Sequence, residues 1–148
     1  MEIIRILHPK KYDPDRGRFT SDSFRNHNDH RVSVVDAGCI SISRNDICYH
    51  LEHYYETAVI KNPFAFWVIK KKELEEHVGE NSFEILQETS PTGDICHYNI
   101  KGLKEKDCKR FFSKFCRPPN IYLCVEQDCI ELSDEEYTNL ASMDFGPK

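Results

Sequence analysis

The sequence predicts a single α+β domain over residues 1–148, with a mainly antiparallel sheet and helices packed mostly on one face. The length of 148 residues fits one hydrophobic core, and the 39% of hydrophobic residues supply it. Segments with strand and helix patterns interleave without a regular βαβ repeat. Several strand-like segments are separated by short turn signals, which is typical of antiparallel hairpins. We expect an ordered core over 1–142 and a frayed tail over 143–148.

The first half of the chain predicts three strands, one helix and a long polar connection. Residues 2–8 are dominated by β-branched apolar side chains and stop at Pro9. The connection over 10–30 contains Pro14, Gly17 and several Asp and Asn residues, and a connection of this length is more often functional than idle. The other predicted elements are a strand over 31–36, a helix over 44–56 and a buried central strand over 64–69.

The second half predicts three helices and two strand pairs. A charged helix over 70–78 ends at Gly79, because glycine is the usual residue after a helix C-terminus. The turn sequence Ser90–Asp94 joins the first strand pair. A capping box that begins at Ser133 starts the last helix. The remaining spans are strands over 83–89 and 95–100, a helix over 103–116, and strands over 121–125 and 129–132.

Charge and hydropathy exclude several classes of protein. The formal net charge is −5, and no window has the roughly 18–20 consecutive apolar residues of a membrane span, so we expect no membrane partner. Glu2 and Arg5 interrupt the apolar amino end, which predicts that it is not a signal peptide. Residues 5–31 hold seven Lys or Arg against four Asp or Glu, and 101–117 hold seven against two. An acidic protein with focused basic segments is a weak general nucleic-acid binder but can still hold one anionic ligand.

The seven cysteines are an odd number, and no pair has the C-x-x-C spacing of a zinc ribbon or a thioredoxin-type site. Because no secretory signal is predicted, we expect reduced thiols in a cytoplasmic protein, several of them as small core residues. A scattered metal site using Cys96 and His97 is disfavoured, since adjacent strand residues point to opposite faces. His50 and His53 have a spacing that can bind metal, but histidines at the rim of an aromatic helix are commoner. We therefore predict no metal and no cofactor.

Familiar catalytic motifs do not occur in the sequence. It contains neither the G-x-x-x-x-G-K-[ST] phosphate loop nor the G-x-G-x-x-G turn, and it has six glycines in total. The G-x-S-x-G nucleophile elbow and the H-E-x-x-H pair are also missing. These absences disfavour nucleotide hydrolases of the phosphate-loop type, α/β-hydrolases and simple zinc proteases.

The densest group of polar side chains predicts a site for a phosphate-containing ligand, such as RNA or a nucleotide like NAD. Arginine matches phosphate oxygens with two parallel hydrogen bonds, and hydroxyl groups add short ones. A histidine that titrates near neutral pH can move a proton beside them, so His8 and His97 are the candidate acid–base pair. The candidate ligand-binding residues are Arg5, Thr20, Ser21, Arg25, Arg31 and Ser33.

Three other interpretations of the same residues remain open. In the simplest, Thr20–Ser23 cap a turn, the arginines are solvated, and His8 is a satisfied strand-end residue. A second is a non-catalytic interaction subunit, of accessory or immunity type, which acts with a protein partner through exposed aromatic residues. The third is duplex nucleic-acid binding by lysines on the helix over 103–116.

The early segment also resembles a known group of sequences. The matching residues are Leu7-His8-Pro9, Gly17-Arg18-Phe19-Thr20-Ser21, Phe24-Arg25, Val32-Ser33-Val34 and the later Ile95–Ile100. Together they resemble a group of small uncharacterised bacterial proteins with the pattern I-H-P, G-R-V-T-S-x-A-F-R-P, L-S-V and a later histidine-bearing strand. The chain departs from that pattern at Asn26, where the group has proline, and by the extra residues 13–15.

The resemblance implies a grouping of residues and no reaction. It places seven residues in one shared site or structural nucleus: Arg5, His8, Ser21, Phe24, Arg25, Ser33 and His97. A looser fold-level analogy, to ADP-ribosyltransferase-like and RES-type NAD-consuming domains, would put Arg5 or His8 on a first strand and Ser33 on a second. The resemblance and the analogy both point to the early segment, which contains Arg5, His8 and Ser33.

Overall fold

A computed structural model describes residues 1–25, 31–40, 43–55, 63–126, 128–143 and 145. The strands are β1 (Glu2–Leu7), β2 (Tyr12–Asp13), β3 (Arg18–Phe19), β4 (Arg31–Asp36), β5 (Phe64–Lys70), β6 (Glu84–Gln87), β7 (His97–Lys101), β8 (Ile121–Val125) and β9 (Asp128–Glu131). The helices are α1 (Ala37–Ile40), α2 (Arg44–Tyr55), α3 (Lys71–Val78), α4 (Glu105–Phe115) and α5 (Asp134–Thr138). Short 3-10 turns cover Pro9–Lys11, Ser21–Ser23 and Leu140–Met143.

Seven strands form one antiparallel sheet in the order β6-β7-β4-β1-β5-β8-β9. The predicted α+β class with a mainly antiparallel sheet is confirmed. β5 lies near the middle and is buried from Phe64 to Ile69, as expected for a strand covered on both faces. It pairs with β1 along the whole of β1, from Glu2–Lys70 to Leu7–Ala65.

Alternate side chains of the central strands enter two separate cores, because successive residues of a strand point to opposite faces. On one face Ile3, Leu7 and Trp67 pack with residues of α3, α4 and α5, including Leu74 and Phe111. We call this face the aromatic face. The other, which we call the cysteine face, holds apolar side chains of α1 and α2. Its buried members include Ile4, Val35, Ile47, Leu51 and Phe66. More helices therefore lie on the aromatic face than on the cysteine face.

The helix ends follow the sequence signals. Gly79 terminates α3 with φ 95°, a conformation that glycine adopts without steric cost. Ser133 and Glu136 form the predicted capping box of α5, with reciprocal hydrogen bonds of 3.1 and 3.0 Å. Within the described residues, every helix falls short of the length and apolar content that crossing a membrane requires.

The polar connection between β1 and β4 contains a small hairpin, β2–β3, that the sequence did not predict. Tyr12 and Phe19 from this hairpin are buried and contact each other edge to face, with ring centroids 5.3 Å apart. Gly17 in its turn has φ 65°, and a Cβ atom there would lie 2.6 Å from the carbonyl oxygen of Thr138. The hairpin is thus held tightly against the α5 segment.

The expectation of a frayed tail does not hold at Phe145. Phe145, in the tail expected to fray, is 5% exposed and contacts the rings of Tyr12 and Phe19. Burial of a large aromatic side chain offsets the entropy of ordering the chain near its end. Residues 26–30 of the predicted polar connection, which include His27 and His30, lie outside the described residues.

The cysteines differ from the expectation of free thiols. Cys39 pairs with Cys96, and Cys48 with Cys124, as disulfides. The first bridge ties α1 to the turn before β7, and the second ties α2 to β8, a proximity that spacing alone does not reveal. The remaining cysteines are free thiols: Cys108, Cys116 and Cys129.

The Tyr12 hydroxyl joins the hairpin to the last helix, and its removal should destabilise the fold. It donates to the carbonyl oxygens of Tyr137 and Thr138 at 2.7 and 3.0 Å and accepts from the Leu140 N–H at 3.3 Å. Tyr12→Phe leaves buried backbone groups without a partner, so we expect a loss of about 1–3 kcal/mol in the free energy of unfolding, measured in urea. Tyr49→Phe, at a site 58% exposed, should change it by less than about 0.5 kcal/mol. Equal effects of the two changes would contradict the anchoring role.

The free thiols should react slowly with alkylating reagents at neutral pH. Burial raises the pKa of Cys108 and of the half-buried Cys129 to about 11, and it raises that of Cys116 well above the usual value. Because the thiolate is the nucleophile, the alkylation rate of Cys129 should rise about tenfold per pH unit between pH 7 and 9 without a plateau. Mass spectrometry of iodoacetamide-treated protein measures this rate, with the urea-unfolded chain as control. A plateau within that range would show an unshifted thiol.

Candidate functional site

The candidate site is a cavity of about 480 Å³ above a place where two neighbouring strands separate. Over their described residues, β1 and β4 are in register at Ile3–Asp36 and Ile4–Val35 only, although each strand has six residues. β1 continues alongside β5, and β4 continues alongside β7. The cavity is lined by Arg5, His8, Ser33 and His97, together with apolar side chains of β1 and β4. We call it the histidine cavity.

Arg5 spans the gap between the separated strands. Its Nη1 donates to the carbonyl oxygen of Ser33 at 2.8 Å, and its Nε donates to that of Ser23 at 3.0 Å. Burial lowers the pKa of Arg5 to about 10, so the guanidinium stays protonated at neutral pH. Both acceptors are neutral, and among the described residues no carboxylate forms an ion pair with Arg5. Arg5 therefore brings a positive charge to the border of the cavity, and no acidic side chain among the described residues pairs with it.

His97 is held with one ring nitrogen committed to the backbone. It is 8% exposed, and its Nδ1 lies 2.6 Å from the carbonyl oxygen of Glu88. A carbonyl oxygen only accepts hydrogen bonds, so Nδ1 must carry the proton. In the neutral ring the lone pair is then on Nε2, which is the state that a general base requires.

His8 and Ser33 complete the polar part of the histidine cavity. His8 follows the end of β1 and is partly exposed. The alternation of strand residues puts it on the same face of the sheet as Ile4 and Ile6. Ser33 is exposed on β4 and lies opposite Asn99 of β7 in the antiparallel register. Histidines from two distant parts of the sequence thus border one open cavity.

The outer wall of the cavity comes from α2 and from the turn before β7. Tyr54 and Tyr55 lie at the end of α2, and Ser90, Pro91 and Thr92 lie in the turn. Two phenol rings, a proline ring and aliphatic side chains give this cavity a mainly apolar lining. Such a surface suits a flat aromatic group placed beside the imidazoles.

Asp94 fixes that wall from behind. Its carboxylate is fully buried and accepts hydrogen bonds from His50 Nε2 at 2.9 Å, the Tyr55 hydroxyl at 2.5 Å and the Cys96 N–H at 2.9 Å. The Asp94 N–H donates to the Ser90 hydroxyl at 3.0 Å. Burial and the neighbouring Asp94 carboxylate raise the pKa of Tyr55, so its phenol stays protonated and donates. One buried carboxylate therefore sets the positions of α2 and of the turn.

Thr20 and Ser21 do not join the histidines. They line a second cavity of about 400 Å³ with Arg16, Arg18 and Arg117, beside aromatic residues of the aromatic face. Tyr12 and Phe19 of the hairpin pack against residues of α4 and α5. This packing places Thr20 and Ser21 on the aromatic face, away from the histidine cavity on the cysteine face. The expectation that Thr20 and Ser21 belong to one site with His8 and His97 is therefore wrong. We call the second space the arginine cavity.

Arg25 and Arg31 line neither cavity. Arg25 lies 3.7 Å from Asp22 and its side chain is 46% exposed, so it is a solvated residue beside an acid. Arg31 donates to both carboxylate oxygens of Glu88 at 3.0 and 3.2 Å, and Glu88 also accepts from Asn99. The predicted role of these two arginines in ligand binding has no support in their positions.

Sequence reasoning missed the residues of the outer wall. The spacing of His50 and Tyr54, four residues apart on one helix, could have placed both on one face. Nothing in the sequence separates Asp94 from the other acidic residues found in turns. Its burial is visible only once α2 is known to cover the turn.

Comparisons of the chain with family models, with curated proteins and with solved structures find no match. The resemblance to a bacterial group stays a prediction. Of the residues that it groups, four line the histidine cavity, Ser21 lines the arginine cavity, and Phe24 packs on Trp67 with ring centroids 5.1 Å apart. Inference about function therefore depends on the geometry of the cavities.

Replacement of Asp94 should weaken the whole wall. Asp94→Asn removes a charged acceptor that serves three donors, and hydrogen bonds to charged groups contribute about 1.5–3 kcal/mol. We expect the free energy of unfolding to fall by about that amount in a urea titration of the oxidised protein. Asp128→Asn, at an exposed position, is the matched control and should change it by less than about 0.5 kcal/mol. An unchanged stability for Asp94→Asn would contradict the central role of this carboxylate.

Proposed function

We propose that the protein binds a small phosphate-containing ligand of the nucleotide class, including NAD or an RNA end, in the histidine cavity. The observation that carries the proposal is the Arg5 guanidinium, a cation on the cavity wall whose hydrogen-bond partners are two neutral carbonyl oxygens. Arg5 is partly exposed and has no carboxylate partner among the described residues, so an anionic ligand would supply its counter-charge.

The apolar lining supports a ligand with a flat ring. The cavity volume of about 480 Å³ is within the range of small-molecule sites, roughly 300–1,000 Å³. Tyr54, Tyr55 and Pro91 offer ring surfaces on one side, and the imidazoles and Ser33 offer polar groups on the other. A nucleotide combines an aromatic base with an anionic phosphate and matches both properties.

We further propose that the two histidines exchange protons with the ligand. In the cleavage of a phosphodiester, His97 Nε2 would take the proton of the attacking hydroxyl, and protonated His8 would give one to the leaving oxygen. The Arg5 charge would favour the added negative charge of the transition state. The Nδ1–H of His97 bound to Glu88 supports this assignment, because it leaves Nε2 as the basic atom.

The alternative function, a non-catalytic interaction subunit, has weaker support. It predicts a contiguous exposed apolar patch. Among the described residues the large hydrophobic side chains that are exposed come from different parts of the chain: Met1, Tyr49, Leu86, Ile95 and Met143. A concave site with convergent polar groups favours ligand binding over a flat docking surface.

We propose the cytoplasm as the compartment. Cys39 is the exposed end of its disulfide, so the small thiols of that compartment can attack the bond. Nucleotides, NAD and RNA ends are also present there, so the compartment suits the proposed ligand class.

A thermal-shift screen tests the proposal on the intact protein, with mononucleotides, NAD and short RNAs as probes, followed by titration calorimetry of any hit. We expect a ligand that raises Tm, and a Kd at least about tenfold weaker in His8→Ala and His97→Ala, since each removes a polar contact worth roughly 1.4 kcal/mol or more. RNA substrates are then assayed for cleavage, which both variants should reduce. His77→Ala is the matched control, because His77 contacts Phe111 and Phe115 on the aromatic face.

Two results would overturn the assignment. One is the absence of any hit in the screen. The other is binding that Arg18→Ala or Arg117→Ala abolishes while both histidine variants keep it, since this result would put the ligand in the arginine cavity.

A further inference from the structure

A cluster of metal-ligating side chains lies directly behind the wall of the histidine cavity. The ligand atoms of His50, Asp94 and Cys96 all lie within 4.8 Å of one another. Cys39 is outside this group but is a candidate fourth ligand, because its sulfur is joined to that of Cys96 in a disulfide. Asp94 and Cys96 are buried, His50 is largely buried, and Cys39 is exposed on α1. Three segments of the chain thus bring two sulfurs, one imidazole and one carboxylate together.

We propose that the reduced protein binds one Zn²⁺ through Cys39, His50, Asp94 and Cys96. Two thiolates, one imidazole and one carboxylate form a tetrahedral donor set of the kind that zinc prefers. Zinc–ligand distances of about 2.0–2.3 Å put tetrahedral ligand atoms about 3.3–3.8 Å apart. The His50–Asp94 distance of 2.9 Å must therefore open by about half an ångström, and the two sulfurs must move apart to this spacing once the disulfide is reduced. The proton on His50 Nε2 moves to Nδ1, which frees the Nε2 lone pair for the ion.

The remaining partners of Asp94 suit a metal ligand. The Tyr55 hydroxyl bonds its second oxygen, Oδ2, at 2.5 Å and stays in place when Oδ1 turns to a metal. Such hydrogen bonds orient metal-binding carboxylates and are usual around zinc sites. The Cys96 N–H, which lies 2.9 Å from Oδ1, fixes the turn that carries the sulfur ligand.

The disulfide and the zinc site exclude each other. A dithiol reductant attacks the exposed Cys39 sulfur, becomes a cyclic disulfide, and leaves Cys39 and Cys96 as two thiols. Zn²⁺ then binds both sulfurs and releases their two protons to solvent. In the oxidised protein the disulfide holds α1 to the turn before β7, and the His50–Asp94 hydrogen bond holds α2 to the same turn.

The second disulfide is an internal control. Cys48 and Cys124 are both fully buried, whereas Cys39 is exposed. Mild reduction should therefore open Cys39–Cys96 first, and peptide mapping under non-reducing conditions identifies which bond has opened. A one-disulfide form of the full-length protein is the right sample for metal binding.

The test is competition with a chromogenic zinc chelator, followed by Co²⁺ substitution and visible absorption. We expect one Zn²⁺ per chain in the partly reduced protein, none at the same concentration in the oxidised protein, and a tetrahedral Co²⁺ spectrum with thiolate charge-transfer bands. Cys39→Ser and His50→Ala should weaken zinc binding at least about 100-fold, since even the hydrogen-bond partners of zinc ligands contribute about 10- to 100-fold.

Matched variants keep the result independent of folding. His53→Ala, three residues further along α2 and exposed, and Cys48→Ser, in the other disulfide, should keep the affinity of the native chain within about threefold. Circular dichroism checks that His50→Ala retains the native helix content. The proposal is overturned if the partly reduced protein takes up no Zn²⁺, or if the Cys39 and His50 variants bind as tightly as their controls.

Discussion

The guanidinium of Arg5 is the interaction on which the candidate site depends. Where β1 and β4 separate, backbone groups that normally pair across a sheet need other partners. Arg5 supplies donors to the carbonyl oxygens of Ser33 on one side and Ser23 on the other. An apolar side chain could fill the same gap only by leaving these acceptors without Arg5's hydrogen bonds. The strand separation creates the histidine cavity, and the residue that makes the separation tolerable also gives the cavity its charge.

Most of the fold could be predicted because local patterns determine it. The apolar run that became β5, the alternating residues of β4 and the capping box at Ser133 each report their own surroundings. The hairpin β2–β3 escaped prediction because its strands have two residues each and are held by distant contacts. Its stability comes from Tyr137 and Phe145, more than a hundred residues later. Long-range packing of this kind leaves no periodic signal in the sequence.

The sequence allowed the types of residue in the candidate site to be predicted better than which of those residues lie together. His8 and His97 were expected to lie near each other, and both border one cavity with Arg5 and Ser33. Thr20 and Ser21 were assigned to the same place because they are close in sequence to the arginines. The burial of Phe19, next to Thr20, outweighs that proximity, since placing a phenylalanine side chain in the core is worth about 1.5–3 kcal/mol. Apolar packing thus decided which polar residues could meet.

One carboxylate connects the proposed ligand site with the proposed metal site. Asp94 accepts a hydrogen bond from Tyr55, which lines the histidine cavity. It also accepts hydrogen bonds from His50 and from the backbone N–H of Cys96, both of which belong to the proposed zinc site. Any change in what binds the Asp94 carboxylate must alter the Tyr55 hydrogen bond, because the phenol donates to the same buried carboxylate. An ion in place of the His50 proton would polarise that carboxylate and alter the strength of the Tyr55 hydrogen bond. The oxidation state of Cys39 and Cys96 would then influence the position of Tyr55 in the cavity wall through a single hydrogen bond, without any movement of the sheet.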